Sequence, residues 1–228
     1  MPSWTFNEFK HIGVNFSDPE QVATYEARQQ TNLEAERALV AKLNINSEHI
    51  VLEYGPGTGA FSLAAGETGA KVIGVDISEA MLAFASRKAK ESQLTEVTFM
   101  KGAYLSHHQP DESVDFVITK FALHHLPDFW KVIALRRIFK CLKPGGIFFL
   151  QDVVFSFDPD DHVRELESWI KNATSGGSFT RTDFEMHIRD EYSTYSNLME
   201  DMLRMAGFHN LTANCYSKIH AEYTCTKN

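Results

Sequence analysis

The chain has 228 residues, of which 43% are hydrophobic, 23% charged and 12% aromatic, and this composition is close to the average for globular proteins. A chain of this length can bury a core without disulfides or a structural metal, and its three cysteines have the spacing of neither a zinc finger nor a disulfide framework. The net charge is −8 and no run of basic residues is present, which argues against a nucleic-acid partner.

The compartment can also be predicted. The chain starts without the charged segment and apolar run of a signal peptide, and no stretch reaches the roughly 18 apolar residues that a membrane span needs. We therefore expect a protein of the reducing cytoplasm that has no membrane partner.

Predicted strands and helices alternate along the first two thirds of the chain. The first helix, over 19–43, is rich in Ala, Glu and Leu, with Asp18 as N-cap and Pro19 in the first turn. Ser78 is the predicted N-cap of a later helix. Because the strands are continuously apolar and helices separate them, they predict a parallel sheet covered on both faces. The predicted strands are 49–54, 71–78, 96–102, 113–123 and 145–153, and the helices between them are 60–70, 78–93 and 128–142.

The last third has a different pattern. Gly207 is a predicted helix C-cap, and the β-rich segments that follow it predict an antiparallel pair at one edge of the sheet. Residues 175–193 have no clear period, and we expect them to pack over the open end of the sheet. The predicted elements here are helices over 159–174 and 194–206 and β segments over 208–216 and 218–227.

These elements predict a doubly wound α/β fold. We expect a single domain over 1–228, with an N-terminal helical cap at 1–45 and a helical substrate cover at 155–195.

The most informative stretch is the glycine-rich turn Gly55-Pro56-Gly57-Thr58-Gly59, which follows an apolar strand. In a doubly wound sheet, ligands bind outside the carboxyl ends of the strands, and glycines let a ligand approach the backbone. Asp76 closes the next strand about twenty residues downstream, where an acid accepts hydrogen bonds from a ribose diol. The two features together predict a ligand of adenosine type. The alternative is a glycine-rich turn without a ligand.

The glycine spacing argues against a nicotinamide-dependent oxidoreductase. The dinucleotide pattern G-x-G-x-x-G places its third glycine one residue later than Gly59. Glu53, two residues before the first glycine, would repel a pyrophosphate. An acid beside the loop suits a ligand that carries a cationic sulfonium and an ammonium group.

Residues 48 to 152 resemble the class I S-adenosylmethionine-dependent methyltransferases, and within them the small-molecule group that includes ubiquinone- and menaquinone-biosynthesis enzymes. Four motifs in order carry the resemblance: VLEYGPGTG, VIGVDIS, PDESVDFVITKFALHHL and LKPGGIFFLQD. The resemblance implies a Rossmann-like methyltransferase fold with a seven-stranded, mostly parallel sheet and an antiparallel edge hairpin. It implies S-adenosylmethionine as cofactor and S-adenosylhomocysteine as product.

The resemblance also implies roles for single residues. Gly55 and Gly57 would border the methionine moiety, Asp76 would hold the ribose hydroxyls, and the loop at Lys120 would offer backbone carbonyls to the ammonium group. Ile77 and Met81 would enclose the adenine. The implied cofactor-binding set is Glu53, Tyr54, Gly55, Gly57, Asp76, Ile77, Met81, Ala103, Tyr104 and Lys120.

One position departs from the family pattern. The family often has G-D-A where this chain has Gly102-Ala103-Tyr104, so the acid that usually meets the adenine amino group is missing. Backbone atoms or Tyr104 are the expected substitutes.

The candidate catalytic residues are His124, His125 and Asp152. The histidines follow the fourth strand in the loop that faces the substrate, and a histidine can act as a base near neutral pH; the alternative is a structural helix start. Asp152 ends the fifth strand, where it either contacts substrate or caps the next segment. No motif of nucleic-acid methylation is present, and Lys120 stands where a metal-dependent enzyme of this fold would have an acid, so we expect no metal.

The substrate cover is expected to combine the N-terminal region with residues 155–195. Two arginines there could hold an anionic substrate, although a solvated surface around a few aromatic residues is the alternative. The candidate substrate-binding residues are Tyr25, Arg181, His187, Arg189 and Tyr192, and the aromatic residues Trp4, Phe6, Phe9 and Phe16 could lie over the cofactor.

The predicted function is methyl transfer from S-adenosylmethionine to a small molecule by a monomer or homodimer. The alternative is an inactive protein of the same fold that binds the cofactor or its product as a sensor or partner subunit. The altered Ala103 position keeps this alternative open, and the glycine loop and Asp76 count against it.

Overall fold

A computed structural model of the chain describes residues 3–10, 22, 33–174 and 179–228. Strands and helices alternate through most of it, as the sequence predicts. The helices are α1 (Leu33–Lys42), α2 (Ala60–Gly66), α3 (Glu79–Glu91), α4 (Asp128–Cys141), α5 (His162–Thr174), α6 (Arg181–Asp190) and α7 (Ser196–Ala206). The strands are β1 (Ile50–Tyr54), β2 (Lys71–Asp76), β3 (Val97–Lys101), β4 (Val114–Lys120), β5 (Leu142–Phe155), β6 (Thr194–Tyr195), β7 (His209–Asn214) and β8 (His220–Thr226).

The strands form one mixed sheet with the order β3-β2-β1-β4-β5-β8-β7. The first five strands in this order, from β3 through β2, β1 and β4 to β5, are parallel. Strand β8 is antiparallel to both of its neighbours, β5 and β7. The doubly wound α/β fold with an antiparallel edge hairpin is therefore confirmed. The direction of winding reverses between β1 and β4, and the ligand of such a sheet binds outside the strand ends at this reversal.

The core lies on both faces of the sheet. Consecutive residues of β1 point to opposite faces, so Val51 packs in one hydrophobic cluster and Leu52 in the other. Helices α1 and α2 cover the face of Val51, and α4 and α7 cover the face of Leu52. Both residues are fully buried, which is the reason why the central strands read as continuous apolar runs.

The predicted caps of two helices are confirmed. The Oγ of Ser78 accepts a hydrogen bond of 3.1 Å from the backbone N–H of Met81 at the start of α3. Gly207 ends α7 in the left-handed conformation, with φ 103°. Each cap satisfies backbone groups that a helix end leaves without partners.

Residues 175–193, which show no clear period in the sequence, include helix α6 at Arg181–Asp190. A capping box starts the helix: the Thr180 side chain accepts from the backbone of Asp183, and the Asp183 side chain accepts from the backbone of Thr180. This T-x-x-D pattern is a sequence signal for a helix start that the missing hydrophobic period concealed.

The predicted helix over 194–206 begins two residues late. Thr194 and Tyr195 are extended as β6 and pair in parallel with Val154 and Phe155 of β5. The pairing joins the cover to the sheet, so a tertiary contact outweighs the local helix preference here.

For the predicted helix over 19–43, the structure describes Val22, which is helical, and the C-terminal part as α1. Asp18, Pro19, Phe16 and Tyr25 lie outside the described residues. Among the helices that the structure describes, none combines the length and the apolar character needed to cross a bilayer.

Candidate functional site

The glycine-rich turn after β1 depends on backbone conformations that favour glycine. Gly55, Gly57 and Gly59 all have positive φ, at 70°, 53° and 85°. A Cβ at Gly55 would lie 2.5 Å from the Cβ of Ala122, whereas a Cβ at Gly57 would meet no atom within 4 Å. The turn therefore packs tightly at Gly55 and faces open space at Gly57.

Asp76 lies beside this open space, at the end of β2. Its Oδ1 accepts a hydrogen bond of 2.9 Å from the backbone N–H of Ser78, and its Oδ2 accepts one of 3.3 Å from Gly57. Burial raises the pKa of Asp76 against the effect of these bonds. The carboxylate is thus fixed between the first two strands, where a ribose diol could reach it.

A cavity of about 370 Å³ opens over the glycine turn and the ends of β1 to β4. Its volume is in the range of ligand pockets. Ile77, which is 38% exposed, presents an apolar side chain to it. Of the residues predicted to bind cofactor, all but Glu53 line this cavity: Tyr54, Gly55, Gly57, Asp76, Ile77, Met81, Ala103, Tyr104 and Lys120.

Tyr104 does not supply the missing acceptor at the end of β3. Its ring stacks on Tyr54, with ring centroids 4.7 Å apart, and its hydroxyl is hydrogen-bonded to Thr119 Oγ1 at 2.5 Å. The side chain is buried, and burial raises the pKa of Tyr104 well above its usual value. Its hydroxyl is therefore occupied within the core rather than directed at a ligand.

Glu8 is a cavity residue that the sequence analysis missed. Its Oε2 accepts a hydrogen bond of 2.9 Å from the backbone N–H of Leu105, and the residue lines the cavity beside Phe6 and Phe9. The Oε1 is buried and has no hydrogen-bond partner among the described residues. An acid between two aromatic residues was the signal available in the sequence.

Glu53 is buried beneath the glycine turn and lines a second cavity instead. Ser62 Oγ donates a hydrogen bond of 2.5 Å to its Oε2. Burial raises the pKa of Glu53 to about 7, although Ser62 and the charge of Lys120 oppose the change. Lys120 itself forms an ion pair with Glu36.

The second cavity, of about 730 Å³, adjoins the first. The two share wall residues at the glycine turn and after β4: Gly55, Gly57, Lys120, Phe121 and His125. Trp169 of α5 and Phe184 of α6 line its far side, in an edge-to-face contact with ring centroids 5.0 Å apart. The sequence analysis missed both aromatic residues, because each belongs to a helix that only the tertiary structure brings over the sheet.

The structure brings His124 and Asp152 together. The backbone N–H of His124 donates to Asp152 Oδ2 at 3.0 Å, and its Nδ1–H donates to Oδ1 at 2.5 Å. The Nε2 of His124 lies 3.2 Å from Glu191 Oε2, and His187 Nδ1 also contacts this carboxylate. Asp152 lines neither cavity, so its contact with His124 holds the turn after β4.

These contacts and burial shift the pKa values of the neighbouring residues His124 and His125 in opposite directions. Burial opposes a charge on His124, but the carboxylates of Asp152 and Glu191 outweigh burial and raise its pKa to about 9. His124 in turn lowers the pKa of Asp152 against the effect of burial. Burial and the charge of His124 lower the pKa of His125 to about 3, so the imidazole in the shared wall is neutral.

The predicted substrate residues are only partly assembled. His187 lines the second cavity. Arg181 lies outside both cavities and forms ion pairs of 2.7 Å with Glu167 and Glu185. Arg189, also outside them, pairs with Asp190.

Tyr192 lies outside both cavities as well. Its backbone carbonyl accepts a hydrogen bond from Lys131, and its ring meets Phe6 edge to face. It connects the cover to the N-terminal segment.

The sequence matches the model of a family described as "Methyltransferase domain" over residues 52–150. It is 34% identical over 130 residues to an uncharacterized methyltransferase of Bacillus subtilis, covering 56% of this chain and 51% of that protein. It is 33% identical over 109 residues to a demethylmenaquinone methyltransferase of Oceanobacillus iheyensis, covering 46% and 44%. The matched part thus spans about half the length of these two relatives.

Another relative matches over a longer part of the chain. The chain is 31% identical over 163 residues to an uncharacterized methyltransferase of Bacillus mycoides, covering 70% of this chain and 69% of that protein.

Solved structures share the fold at low sequence identity. A SAM-dependent methyltransferase from Aquifex aeolicus aligns with a TM-score of 0.66 and 16% identity, over 92% of this chain and 99% of that one. A Haemonchus contortus phosphoethanolamine N-methyltransferase, solved with phosphomonomethylethanolamine and S-adenosylhomocysteine, aligns with a TM-score of 0.69 and 16% identity, over 94% and 61%.

Proposed function

The chain belongs to the class I S-adenosylmethionine-dependent methyltransferases, and from this premise we propose that it methylates a small molecule held in the second cavity. The observation that carries the proposal is the shared wall at Gly55, Gly57 and His125, which joins that cavity to the cofactor pocket. An acceptor atom held at this wall would lie beside the methyl group of a cofactor bound in the first cavity, as a direct transfer requires.

The residues of the first cavity fit S-adenosylmethionine, the cofactor of this family. The space at Gly57, which no protein atom fills, allows the methionine part to approach the backbone. Asp76 would accept hydrogen bonds from the ribose hydroxyls, Ile77 and Met81 would pack on the adenine, and the carbonyl of Lys120 would meet the ammonium group.

The bound cofactor supplies an electrophilic methyl group on a positively charged sulfur. The chain's own contribution is to position the acceptor and to exclude water. Trp169 and Phe184 form an apolar wall opposite the glycine turn. His125, neutral in the shared wall, would accept a hydrogen bond from the acceptor and orient the reacting atom.

His124 and Asp152 have a positioning role in this proposal. Asp152 binds both the backbone and the ring of His124, and this double contact fixes the turn that carries His125. Of the three candidate catalytic residues, only His125 therefore acts directly on the substrate in this proposal.

The second cavity favours an enzyme over an inactive binding protein. A protein that only senses the cofactor has no need of a further cavity that opens on the same glycine turn. A small acceptor fits because α5 and α6 contribute aromatic side chains to the wall of this cavity. The free cysteines Cys141, Cys215 and Cys225 are consistent with a reducing compartment such as the cytoplasm.

Calorimetric titration and a methyl-transfer screen test the proposal. The purified chain should bind S-adenosylmethionine and S-adenosylhomocysteine but not NAD. With the methyl-labelled cofactor, a panel of small alcohols, amines, thiols and quinols should then yield at least one labelled product.

A matched pair of variants connects the activity to the second cavity. Trp169→Leu should reduce transfer to that acceptor while leaving the affinity for S-adenosylhomocysteine unchanged. Phe129→Leu is the control, because Phe129 is an exposed aromatic residue outside both cavities. Equal loss in both variants, or transfer that is insensitive to Trp169, would place the acceptor elsewhere.

A further inference from the structure

Three side chains outside the cofactor pocket converge in the wall of the second cavity. They are His124, in the turn after β4, and His187 and Glu191, four residues apart at the end of α6. One donor atom from each side chain lies within 4.8 Å of the other two. Glu191 directly follows α6 as its C-cap, and its backbone N–H donates to the carbonyl of His187 at 3.0 Å, so the end of the helix presents His187 and Glu191 together towards the turn.

The remaining nitrogen of each imidazole has its own hydrogen-bond partner. His124 Nδ1 donates to Asp152, and His187 Nε2 is hydrogen-bonded to Ser193 Oγ at 2.9 Å. This leaves His124 Nε2 and His187 Nδ1 directed at Glu191. A metal-binding histidine characteristically has its second nitrogen held by a carboxylate or another polar group in this way.

The charges of the cluster also suit a divalent cation. The side chains of Asp152 and Glu191 are only 1% and 7% exposed, and buried carboxylates need compensating positive charge. One divalent cation with two neutral imidazoles would neutralise both acids. Two protonated imidazoles would do the same, so the alternative is a purely ionic cluster.

We propose that His124, His187 and Glu191 form a binding site for a zinc-class divalent cation, with its fourth coordination position open to the second cavity. Two imidazoles and one carboxylate are a ligand set that Zn²⁺ and Co²⁺ accept, and three protein ligands with one open position are typical of a reactive rather than a structural site. An oxygen of the acceptor could occupy that position.

This site differs from the one that the sequence argued against. The expectation of no metal rested on Lys120 at the end of β4, and Lys120 pairs with Glu36. The proposed ligands instead lie in the turn that follows β4 and at the C-terminal end of α6. Metal binding at this cluster can be measured without cofactor or acceptor, so the proposal stands apart from methyl transfer.

Cobalt is the probe for the test, because Co²⁺ in a site with nitrogen ligands absorbs visible light. Protein freed of metal with a chelator should bind one Co²⁺ per chain, with an absorption band that Zn²⁺ abolishes. His187→Ala should weaken binding on the order of a hundredfold. His220→Ala is the matched control, since His220 lines the same cavity but lies outside the cluster.

Circular dichroism and binding of S-adenosylhomocysteine establish that each variant is folded. The proposal is overturned if the wild-type chain binds no Co²⁺, or if His187→Ala and His220→Ala bind it equally well. Either result would leave the cluster as ion pairs only.

A separate observation concerns the acid missing at Ala103. Glu8 is tied to the backbone of Leu105, two residues beyond Ala103, and its second carboxylate oxygen is buried without a hydrogen-bond partner among the described residues. A buried side-chain oxygen without a hydrogen-bond partner is rare in folded proteins. The cavity that Glu8 lines is therefore where its donor should be.

The position of Glu8 selects one donor of the cofactor. In the proposed pose the ammonium group lies at β1 and β4 and the ribose hydroxyls lie at Asp76, which leaves the adenine amino group for the loop after β3. We infer that Glu8 accepts a hydrogen bond from this amino group and replaces the absent acid of the loop. The inference rests on the proposed function, because it requires an adenosyl ligand.

Binding of a deaminated ligand tests the inference without any measurement of activity. S-inosylhomocysteine has a carbonyl oxygen in place of the amino group, and the wild-type chain should bind it at least about tenfold more weakly than S-adenosylhomocysteine. Glu8→Gln should remove this preference, because an amide can donate to the carbonyl. Glu48→Gln, on the exposed turn before β1, should keep it.

The outcomes separate this inference from the proposed function. If the wild-type chain binds neither ligand, the proposed function fails. If it binds S-adenosylhomocysteine and Glu8→Gln keeps the same preference, only the role of Glu8 is overturned.

Discussion

Two regions of the molecule are built on different principles: the carboxyl ends of β1 and β2 with the glycine turn, which we call the sheet edge, and the cover made by α5 and α6. At the sheet edge, backbone geometry forms the site: glycines with positive φ, a carboxylate bonded to backbone N–H groups, and strand ends brought together by parallel pairing. In the cover, side chains form it, through aromatic contacts and the ion pairs of His124, His187 and Glu191. Under the proposed function, the glycine turn and its neighbouring strand ends would determine which cofactor binds, and the cover would determine what is methylated.

The strongest test of the backbone-built half is Gly57→Val. A valine there would sit at φ 53° and project into space that no protein atom fills, so we expect measurable binding of S-adenosylmethionine to be lost while the fold is kept. Gly145→Val is the matched control, because Gly145 also has a positive φ and open space for an added Cβ but lies near the start of β5, outside both cavities. Calorimetry on both variants, with thermal melts, makes the comparison; normal binding by Gly57→Val would contradict the assignment of the turn.

The same division explains how far the sequence could predict the molecule. The glycine turn, Asp76 and the alternation of strands and helices depend on local patterns, and a local pattern can be read along the chain. Glu8 and Trp169 approach the cavities only through tertiary packing, and no periodicity marks them. Arg181 and Arg189 carry the charge expected of anion ligands, yet acids on or next to their own helix pair with them.

A second prediction concerns how Glu53, the buried acid of β1, makes the stability of the chain depend on pH. The pKa of Glu53 is raised from 4.5 to about 7 in the folded chain, so the folded state holds its proton more tightly than the unfolded state does. Stability should therefore fall as the pH rises from about 4.5 to 7 and stay reduced above that. Glu53→Gln can keep the bond from Ser62 and removes this penalty, and above pH 7 it should stabilise the chain by about 3 kcal/mol.

Thermal melts at pH 5 and pH 8 measure the effect. For a chain of this size, about 3 kcal/mol corresponds to a rise in Tm of roughly 6 to 12 °C, and the rise should be seen mainly at pH 8. Glu67→Gln should not give it, because the hydrogen bond from Arg37 lowers the pKa of Glu67. A Tm of Glu53→Gln that is no higher than that of the wild type at pH 8 would show that the ionised carboxylate of Glu53 does not destabilise the fold.

A loss of cofactor affinity smaller than that of Gly57→Val is expected when Asp76 is replaced. Asp76→Ala should weaken binding of S-adenosylhomocysteine by about 1.5 to 3 kcal/mol, the range for hydrogen bonds to a charged group. Asp111→Ala, at an exposed position in the loop before β4, should bind as the wild type does. Calorimetric titration of the three proteins decides the matter, and an unchanged affinity in Asp76→Ala would remove this residue from the ribose site.

The smallest effect on activity and stability should come from replacing the two arginines of the cover. This prediction tests how the cover selects the acceptor. Both guanidinium groups are exposed, and each is paired with carboxylates on or beside its own helix, so their charge is already compensated where an anionic acceptor would have to compete for it. Exposed pairs of this kind add little to stability. Arg181→Ala and Arg189→Ala should therefore leave both the Tm and the KM for the acceptor unchanged, in contrast to Trp169→Leu. A marked rise in KM in either arginine variant would mean that the cover rearranges to bring a positive charge to the acceptor, and that the charges of the cover, rather than its aromatic wall, select the substrate.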